Sequence, residues 1–360
     1  MRAAICHSFG EPLQIEDVDL DPPEAGEIEV EVAACAICHS DLLYADGSWQ
    51  VPLPAVFGHE VSGIVRAIGS GVRDFAAGDH VVVTLIRACG TCPACSANHR
   101  VTCETVFPRA SHSPLRRRNG ERLFQGLRTG GFAERVVVDA SQAVVISSAV
   151  GFVPASLLAC GVITGHGAVV NTARLRGGET IVVIGAGGVG LNVIQAAAIA
   201  GAGRIIAVDV APTKLETARQ FGATHALHGG EASLAQQVRD LSGGRGADFV
   251  FVTVGAARAF VQSFDLVARS GTVVLVGMPP DGVMLGVEAG RIAQDNIHIL
   301  GSKMGDTNIR TDIPRLVEHY AAGRLKLDEL ASGCFPLEQI NEAIAATASG
   351  AAIRNVILMK

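Results

Sequence analysis

Residues 180–190 read TIVVIGAGGVG, a continuous apolar run followed at once by a glycine-rich turn. An apolar run without alternation is typical of a strand buried on both faces in a parallel sheet. Helix-forming residues follow to Ala200, and a second apolar run, RIIAVD, ends at Asp209. Helical and extended segments then alternate up to Val276. This alternation predicts an α/β unit with a doubly wound parallel sheet and helices on both faces.

The turn itself fits the pattern G-x-G-x-x-G and lies between a strand and a helix, the setting in which that pattern binds a dinucleotide. Gly185 allows the sharp turn, Gly187 lets the backbone approach a pyrophosphate, and Gly190 lets the helix pack close to the strand. Gly188 and Val189 begin a helix whose free N–H groups and partial positive charge face the phosphates.

Asp209 closes the second strand, twenty-four residues beyond Gly185. A carboxylate there accepts hydrogen bonds from the adenosine ribose and repels a 2′-phosphate, so the sequence predicts NAD rather than NADP. The alternative is an ordinary turn residue at the end of a strand. Lys214, on the next helix, is a candidate second contact to the ribose, with a plain surface lysine as the alternative.

The first 150 residues predict a different, β-rich architecture. Residues 27–32 read EIEVEV, which alternates as a strand with one wet face does. Further short strands are predicted at residues 61–65 and 80–84, separated by glycine and proline. Short strands with frequent turns indicate a barrel-like or sandwich lobe. Residues 340–360 return to a helix and a strand, which we expect to rejoin this lobe.

Composition excludes several classes of protein. The chain has 360 residues, 49% of them hydrophobic, and a formal net charge of -6, which argues against nucleic acid as a partner. The apolar stretch 181–200 contains glycines, Asn192 and Gln195, so we interpret it as a strand and a helix rather than a membrane span. The basic run Arg116–Arg118 is interpreted as a solvated loop, with an anion-binding surface as the alternative.

Cellular location is predicted from the N-terminus and the cysteines. The N-terminal residues MRAAICHSFGEP lack the apolar stretch of a secretory signal. The nine cysteines, several at metal-ligand spacing, fit a reducing cytoplasm better than a disulfide scaffold.

Four of the cysteines lie within fifteen residues, in the run CGTCPACSANHRVTC at 89–103. Three recur at every third residue and the fourth follows eight later, so one loop can close four sulfurs around a tetrahedral ion. Zinc suits that geometry and those ligands. A closed four-thiolate site leaves no position for substrate, and it therefore predicts a structural zinc. The predicted ligands are Cys89, Cys92, Cys95 and Cys103.

Three other segments carry residue types that ligate zinc: Cys38-His39-Ser40-Asp41, Gly58-His59-Glu60 and a cysteine, Cys160, four residues before a Thr-Gly pair. Each segment alone is weak evidence, because buried cysteines and single histidines are usually packing residues. The remaining cysteines, Cys6, Cys35 and Cys334, are interpreted as packing residues.

Taken in order, these motifs resemble the zinc-dependent medium-chain alcohol dehydrogenases over nearly the whole chain. The resemblance rests on CHSD, GHE, the four-cysteine lobe, the cysteine before TG, GAGGVG with its distal aspartate, and the ending IRNV. It implies a GroES-like β-rich catalytic domain, residues 1–160 and 305–360, and a Rossmann NAD-binding domain, residues 161–304. It also implies two zinc ions per chain, one catalytic and one structural.

The resemblance assigns further roles. Cys38, His59 and Cys160 would hold the catalytic zinc, as two cysteines and a histidine do in alcohol dehydrogenase, with Glu60 as a transient ligand. Asp41 would hydrogen-bond the far nitrogen of His59. The zinc would make an alcohol hydroxyl acidic, Ser40 would accept its proton, and hydride would pass to NAD. The implied cofactor contacts are His39, Thr164 and Arg354.

Two positions depart from the liver-type pattern: His39 stands where an arginine often binds pyrophosphate, and Leu43 stands where a relay histidine often lies. The route of the proton beyond Ser40 is therefore open. The active site is expected in the cleft between the domains. Candidates for its lining are Trp49, Leu85 and Met304.

The long segment 104–130 resembles the branch of the family that contains aryl and terpene alcohol dehydrogenases and thiol-dependent formaldehyde dehydrogenases. A primary alcohol is the first prediction for the substrate. The alternative is an S-(hydroxymethyl) adduct of mycothiol or glutathione, whose tail Arg116–Arg118 could bind. A zinc-free quinone or enoyl reductase and a zinc-stiffened binding module are the competing classes. The resemblance also implies a homodimer, with a tetramer possible, acting on a small alcohol or aldehyde without nucleic acid or membrane.

Overall fold

The chain divides into two units. The computed structural model describes residues 1–107, 109 and 112–359. One unit, here called the β-rich unit, comprises Met1–Cys160 and Asn308–Lys360, and the other, the parallel-sheet unit, comprises Gly161–Thr307. The parallel-sheet unit ends at Thr307, three residues beyond the end predicted for the Rossmann domain at residue 304. Gly305 packs so closely within the parallel-sheet unit that a Cβ on Gly167 would lie 2.2 Å from its carbonyl oxygen.

The parallel-sheet unit is built on six parallel strands whose spatial order, numbered along the chain, is 3-2-1-4-5-6. In chain order they are Thr180–Ile184, Arg204–Asp209, His225–His228, Ala247–Val252, Val267–Leu275 and His298–Gly301. The order reverses next to the first strand, and such a switch point is where doubly wound sheets bind ligands. All residues of the first strand are buried, as its unbroken apolar run predicts.

Helices cover this sheet and alternate with its strands. They are Gly188–Ile199, Pro212–Gln220, Leu234–Leu241, Ala257–Leu266 and Ala289–Gln294. The third and sixth strands were not predicted. They are four residues long, contain histidines and lie at the two edges of the sheet, so they carry no long apolar run.

The β-rich unit contains two sheets. A five-stranded sheet is formed, in spatial order, by Leu115–Arg117, Gln14–Leu20, Arg2–Cys6, Ala55–Val56 and Phe124–Gln125. A seven-stranded sheet is formed by Ala143–Val145, His80–Val83, Glu60–Ile68, Glu27–Ala36, Arg354–Leu358 and Ala331–Pro336, with Arg135–Asp139 also paired to Glu27–Ala36. The α-helices of this unit include His39–Ala45, Pro93–Ser96, Ile309–Ala321 and Ile340–Ala348.

The register of the seven-stranded sheet gathers three segments at one end. Ala36 is the last residue of the strand Glu27–Ala36. It pairs with Glu60, the first residue of the adjacent strand in the sheet, and with Val356, near the start of the C-terminal strand. Residues just after 36, just before 60 and just before 356 therefore meet at the same edge. The C-terminal return to this unit, predicted from the sequence, is what brings Arg354 there.

Within the described residues, one helix is long and apolar enough to cross a membrane. It spans Phe152–Ala173, and 89% of its most apolar window is buried inside the protein. Such burial is what a core helix shows. The apolar stretch 181–200, predicted to be a strand and a helix rather than a membrane span, is divided between the strand Thr180–Ile184 and the helix Gly188–Ile199.

Candidate metal and dinucleotide sites

Four of the predicted metal ligands meet in the β-rich unit. Cys38, His59, Glu60 and Cys160 each offer one ligand atom, and these atoms all lie within 4.8 Å of one another. The first three lie at the gathered end of the seven-stranded sheet. Cys160 reaches them from a π-helical turn, Leu158–Val162, inside the long helix. π-Turns of this kind occur frequently at functional sites.

Asp41 ties two of these segments together. One of its carboxylate oxygens accepts the backbone N–H of Cys38 at 2.9 Å, at the start of the helix His39–Ala45. The other lies 3.0 Å from the backbone nitrogen of Gly58 and 3.2 Å from Nδ1 of His59. Asp41 and His59 are buried, at 2% and 0% exposure. The carboxylate thus fixes the imidazole with Nε2 directed away from Asp41.

The donors at this site fit a zinc ion. Nε2 of His59 and Oε2 of Glu60 are buried, and neither makes a hydrogen bond of ordinary geometry within the described residues. The thiols of Cys38 and Cys160 share one hydrogen bond: it acts with the neighbouring His59 to hold the pKa of Cys38 well below its usual range, and it acts with burial to raise the pKa of Cys160 well above it. A thiolate and a neutral imidazole are the forms that bind zinc. Two sulfurs and one nitrogen leave a fourth position for a substrate oxygen or for Glu60.

Glu60, one of the four candidate ligands, forms a buried ion pair with Arg354. Burial raises the pKa of Glu60 to about 7, while the guanidinium of Arg354 acts to lower it. Both side chains are almost fully buried, at 0% and 8% exposure. Arg354, assigned to the pyrophosphate by resemblance, therefore has a defined partner within its own unit.

We predict that Arg354→Met destabilises the β-rich unit by about 3 kcal/mol at pH 8, because it leaves the Glu60 carboxylate buried without a counter-charge. The loss should be smaller at pH 5. A carboxyl with a raised folded-state pKa favours folding when protonated and loses that contribution as the pH rises through its folded pKa. Urea unfolding at both pH values measures the effect.

The double variant Arg354→Met/Glu60→Gln should recover most of the loss, because it also removes the charge. Arg66→Met is the matched control, since Arg66 forms an exposed ion pair with Glu31 and should cost less than about 1 kcal/mol. Equal losses in the two single variants would contradict the prediction.

The four-cysteine lobe forms a second, separate ligand set in the same unit. The sulfurs of Cys89, Cys92, Cys95 and Cys103 all lie within 4.8 Å of one another. Cys89 and Cys95 are 4.0 Å apart, and Cys92 and Cys103 are 3.9 Å apart. Zinc–sulfur bonds of about 2.3 Å place the corners of a tetrahedron about 3.8 Å apart, so the spacing fits zinc. It is far too long for a disulfide.

Hydrogen bonds to the sulfur of Cys89 stabilise its thiolate form, which binds a metal cation. Backbone N–H groups of Thr91 and Cys92 donate to the sulfur of Cys89 at 3.4 and 3.2 Å. The hydroxyl of Thr105, together with these backbone donors, lowers the pKa of Cys89 to about 5. The lobe therefore favours thiolate, the ligating form, at its first cysteine.

The predicted dinucleotide loop lies in the parallel-sheet unit at the switch point. Gly185 has φ of +96°, which favours glycine, and a Cβ on Gly190 would lie 1.8 Å from the carbonyl oxygen of Gly185. Apart from its own chain neighbours, none of the described residues has an atom within 4 Å of the place where a Cβ on Gly187 would be. This open space at the N-terminus of the helix Gly188–Ile199, where Val189 also lies, fits a pyrophosphate.

Asp209 ends the second strand beside this loop. Its two carboxylate oxygens accept the backbone N–H groups of Ala186 and Ala211, at 2.8 and 2.9 Å. Asp209 can therefore hold the turn and also bind the ribose, the two interpretations made from the sequence, because each carboxylate oxygen can accept a second hydrogen bond. Lys214 is half-buried on the following helix.

The other predicted site residues are placed as follows. His39 is exposed and Ser40 half-buried on the first turn of the helix His39–Ala45. Thr164 is buried, and its hydroxyl lies 3.7 Å from the sulfur of Met304. Trp49 and Leu85 are half-buried. Trp49 packs edge-on against Tyr44, with ring centroids 5.4 Å apart.

The basic run Arg116–Arg118 differs from the predicted solvated loop. Arg116 and Arg117 lie in the strand Leu115–Arg117. The three guanidiniums form ion pairs with Asp21, Glu16 and Asp17, of which the last two lie on the neighbouring strand Gln14–Leu20 and the first directly follows it. These carboxylates neutralise the run, which weakens the case for an anion-binding surface. Cys334, expected to be a packing residue, is instead an exposed thiol.

Comparison with known proteins agrees with this architecture. Residues 24–148 match the family described as "Alcohol dehydrogenase GroES-like domain", and residues 188–322 match "Zinc-binding dehydrogenase". An NDMA-dependent alcohol dehydrogenase from Amycolatopsis methanolica is 34% identical, covering 99% of this chain and 98% of that protein. The chain belongs to the zinc-dependent medium-chain alcohol dehydrogenases.

Solved structures of this family match over the full chain. The structure of an alcohol dehydrogenase zinc-binding domain protein from Burkholderia ambifaria matches with a TM-score of 0.95 at 34% identity. The match covers 100% of this chain and 98% of that chain. Benzyl alcohol dehydrogenase from Acinetobacter calcoaceticus has a TM-score of 0.93 at 29% identity, with coverages of 100% and 99%. This alcohol dehydrogenase is therefore an oxidoreductase with a GroES-like and a nucleotide-binding domain, as the sequence predicted.

Two features of this alcohol dehydrogenase were missed from the sequence. The ion pair between Glu60 and Arg354 joins residues 294 positions apart, and no local pattern signals such a pair. Thr253, which follows an apolar strand, hydrogen-bonds the dinucleotide loop. A single threonine after a strand carries no signal by itself.

Proposed function

We propose that this enzyme oxidises a primary alcohol, aryl or allylic, to the aldehyde with NAD as the hydride acceptor, reversibly. The observation that carries the proposal is the convergence of Cys38, His59 and Cys160 on one buried point, with Glu60 beside it. Three protein ligands with an open fourth position are typical of catalytic zinc rather than structural zinc. This set also argues against a zinc-free reductase and a binding module.

When bound, zinc at this point would act as a Lewis acid toward the alcohol oxygen, and NAD would carry the hydride. The chain's own residues position the reactants and move the proton. Asp41 holds the His59 imidazole, so Nε2 is presented at the ligand point. Ser40, two residues after Cys38, would accept the hydroxyl proton at its Oγ and release it to water, because Leu43 cannot relay a proton.

The preference for NAD over NADP rests on Asp209. Its carboxylate is held beside the dinucleotide loop by Ala186 and Ala211, and a 2′-phosphate there would meet a like charge. A relative of known structure from Sinorhizobium meliloti, 26% identical and with a TM-score of 0.83, is bound to NADP.

Two observations favour a primary alcohol over the thiol adduct: the activity of a similar structure and the ion pairs of Arg116–Arg118. The similar structure from Acinetobacter calcoaceticus is a benzyl alcohol dehydrogenase. The S-(hydroxymethyl)thiol alternative relied on Arg116–Arg118 to bind an anionic tail, and these arginines are already paired with carboxylates. We therefore place a primary alcohol first.

An activity panel tests the proposal. Benzyl, cinnamyl and short aliphatic alcohols are assayed with NAD and NADP, and formaldehyde is assayed with mycothiol or glutathione. NDMA is included as an acceptor because one relative depends on it. We expect kcat/KM to be highest for aryl or allylic alcohols, and at least about a hundredfold higher with NAD than with NADP, as charge repulsion at one contact implies. Turnover with the thiol adduct alone would overturn the substrate class.

We also propose a homodimer formed through the open edge of the parallel sheet. The edge strand His298–Gly301 ends the sheet, and its Ile299 is 42% exposed. Met278 and Met284, in the preceding segment, are 63% and 88% exposed. Exposed apolar side chains near a strand edge favour pairing with a second copy.

Light scattering should give twice the 37.2 kDa chain mass, or four times for a tetramer. Ile299→Lys should shift the protein toward the monomer, because the substitution puts a charge at the proposed interface. A monomeric wild type would contradict the proposal.

A further inference from the structure

One peptide of the dinucleotide loop is held from both sides by side chains of the flanking strands. The carbonyl oxygen of Gly185 accepts the hydroxyl of Thr253 at 2.8 Å. The N–H of the same peptide, on Ala186, donates to Asp209 at 2.8 Å. Thr253 follows the strand Ala247–Val252 on one side of Thr180–Ile184, and Asp209 ends the strand on the other side.

This peptide needs such support because of its own conformation. Gly185 has φ of +96°, and glycine has the least intrinsic restriction on rotation of the adjacent peptide. Its carbonyl also points at Gly190, where a Cβ would lie 1.8 Å from the oxygen and 3.0 Å from Oγ1 of Thr253. A rotation of the peptide would therefore disturb the first turn of the helix that faces the pyrophosphate.

The Thr253 hydroxyl is shared with a second acceptor. Its Oγ1 also lies 3.0 Å from the carbonyl oxygen of Ile184, the last residue of the first strand. The backbone N–H of Thr253 donates to the same oxygen at 3.0 Å. The hydroxyl therefore sits where strand becomes turn, and it sets the direction of two successive carbonyl groups.

We propose that Thr253 is a positioning residue for the dinucleotide: together with Asp209 it locks the Gly185–Ala186 peptide in the orientation that binds the pyrophosphate. This inference rests on the proposed function, since it assumes that the loop binds a nicotinamide dinucleotide. Thr253 acts through the loop backbone. It should therefore affect the affinity for the cofactor and leave the chemical step unchanged.

The test compares Thr253→Val, which removes the hydroxyl at constant shape, with Thr253→Ser, which retains it. Calorimetry with NAD and steady-state kinetics are run on the full-length enzyme. We expect Thr253→Val to raise the Kd and KM for NAD about tenfold, the loss typical of one hydrogen bond. The kcat at saturating NAD and the KM for alcohol should stay within about twofold of the wild type, and Thr253→Ser should restore the affinity.

Thr224→Val is the matched control. The Thr224 hydroxyl also donates to a backbone carbonyl of a neighbouring strand, that of Ile205, at 3.0 Å. This contact lies at the end of the sheet opposite the dinucleotide loop. It should lower thermal stability without changing the Kd for NAD. Equal affinity of Thr253→Val and the wild type for NAD would overturn this inference alone. A wild type that binds neither NAD nor NADP would overturn the proposed function, and this inference with it.

Discussion

Cys38→Ala should abolish alcohol oxidation while leaving the protein folded. Among the described residues, Cys38 supplies one of the two sulfurs at the candidate catalytic site, so the variant would leave a bound zinc with one thiolate and one imidazole beside Glu60. Loss of a Lewis acid worth several kcal/mol predicts a fall in kcat of at least about a thousandfold. Zinc content should fall from two ions per chain to one.

The fold should tolerate this change because the backbone N–H of Cys38, at the helix start, donates to the carboxylate of Asp41, and this hydrogen bond does not require the thiol. We expect the melting temperature to fall by less than about 5 °C, as for removal of one partly exposed side chain. Elemental analysis, steady-state kinetics and thermal melting give the three quantities. Cys334→Ala, at an exposed thiol, is the control and should match the wild type in all of them. A Cys38→Ala variant that keeps both zinc ions and full turnover would end the proposal.

Cys92→Ala should have the opposite profile, with a large loss of stability and most of the turnover retained. Among the residues of the lobe, 89–103, only Cys95 is buried. The regular elements of the lobe are the four-residue helix Pro93–Ser96 and the short 3₁₀ turn Arg100–Thr102. A segment this short cannot form an apolar core, so we expect a metal bound by the four cysteines to supply its folding free energy.

Losing that contribution should lower the melting temperature by about 10 °C, from about 3–5 kcal/mol at about 2–4 °C per kcal/mol. Limited proteolysis should produce new cuts within residues 89–103. One zinc ion, the catalytic one, should remain, and more than half of the activity at 20 °C should be kept, because the two ligand sets share no residue. Equal loss of turnover in Cys38→Ala and Cys92→Ala would contradict the division into catalytic and structural metals.

Local sequence patterns predicted the architecture well where the physical signal is local. The apolar run 180–184 was predicted to be a buried strand, and all of its residues are buried. Gly185 has a positive φ and Gly190 makes a close backbone contact, and both requirements arise within the turn itself. The four cysteines at 89–103 close one short loop. The ordered motifs also carried the resemblance to the family.

Patterns were less informative at edges and at long range. The strands His225–His228 and His298–Gly301 are short edge strands and have no unbroken apolar run. The basic run Arg116–Arg118 was interpreted from its charge, but the partners that neutralise it lie about a hundred residues away. Charge in a sequence states what a side chain needs and not where the partner is.

By itself, the amino-acid sequence determined the strand–turn–helix of the dinucleotide loop and the four-cysteine lobe, because each depends on residues close together in the chain. The ligands for a second metal were assigned by the resemblance of ordered motifs to a family. The tertiary structure decided which distant ligands meet. Antiparallel register brings residues 38, 59 and 354 to one end of a sheet, and a π-turn presents Cys160 to them. It also decided that Thr253 and Asp209 hold the same peptide. The physical reason is that strand pairing, rather than local propensity, sets the separation of groups distant in the chain.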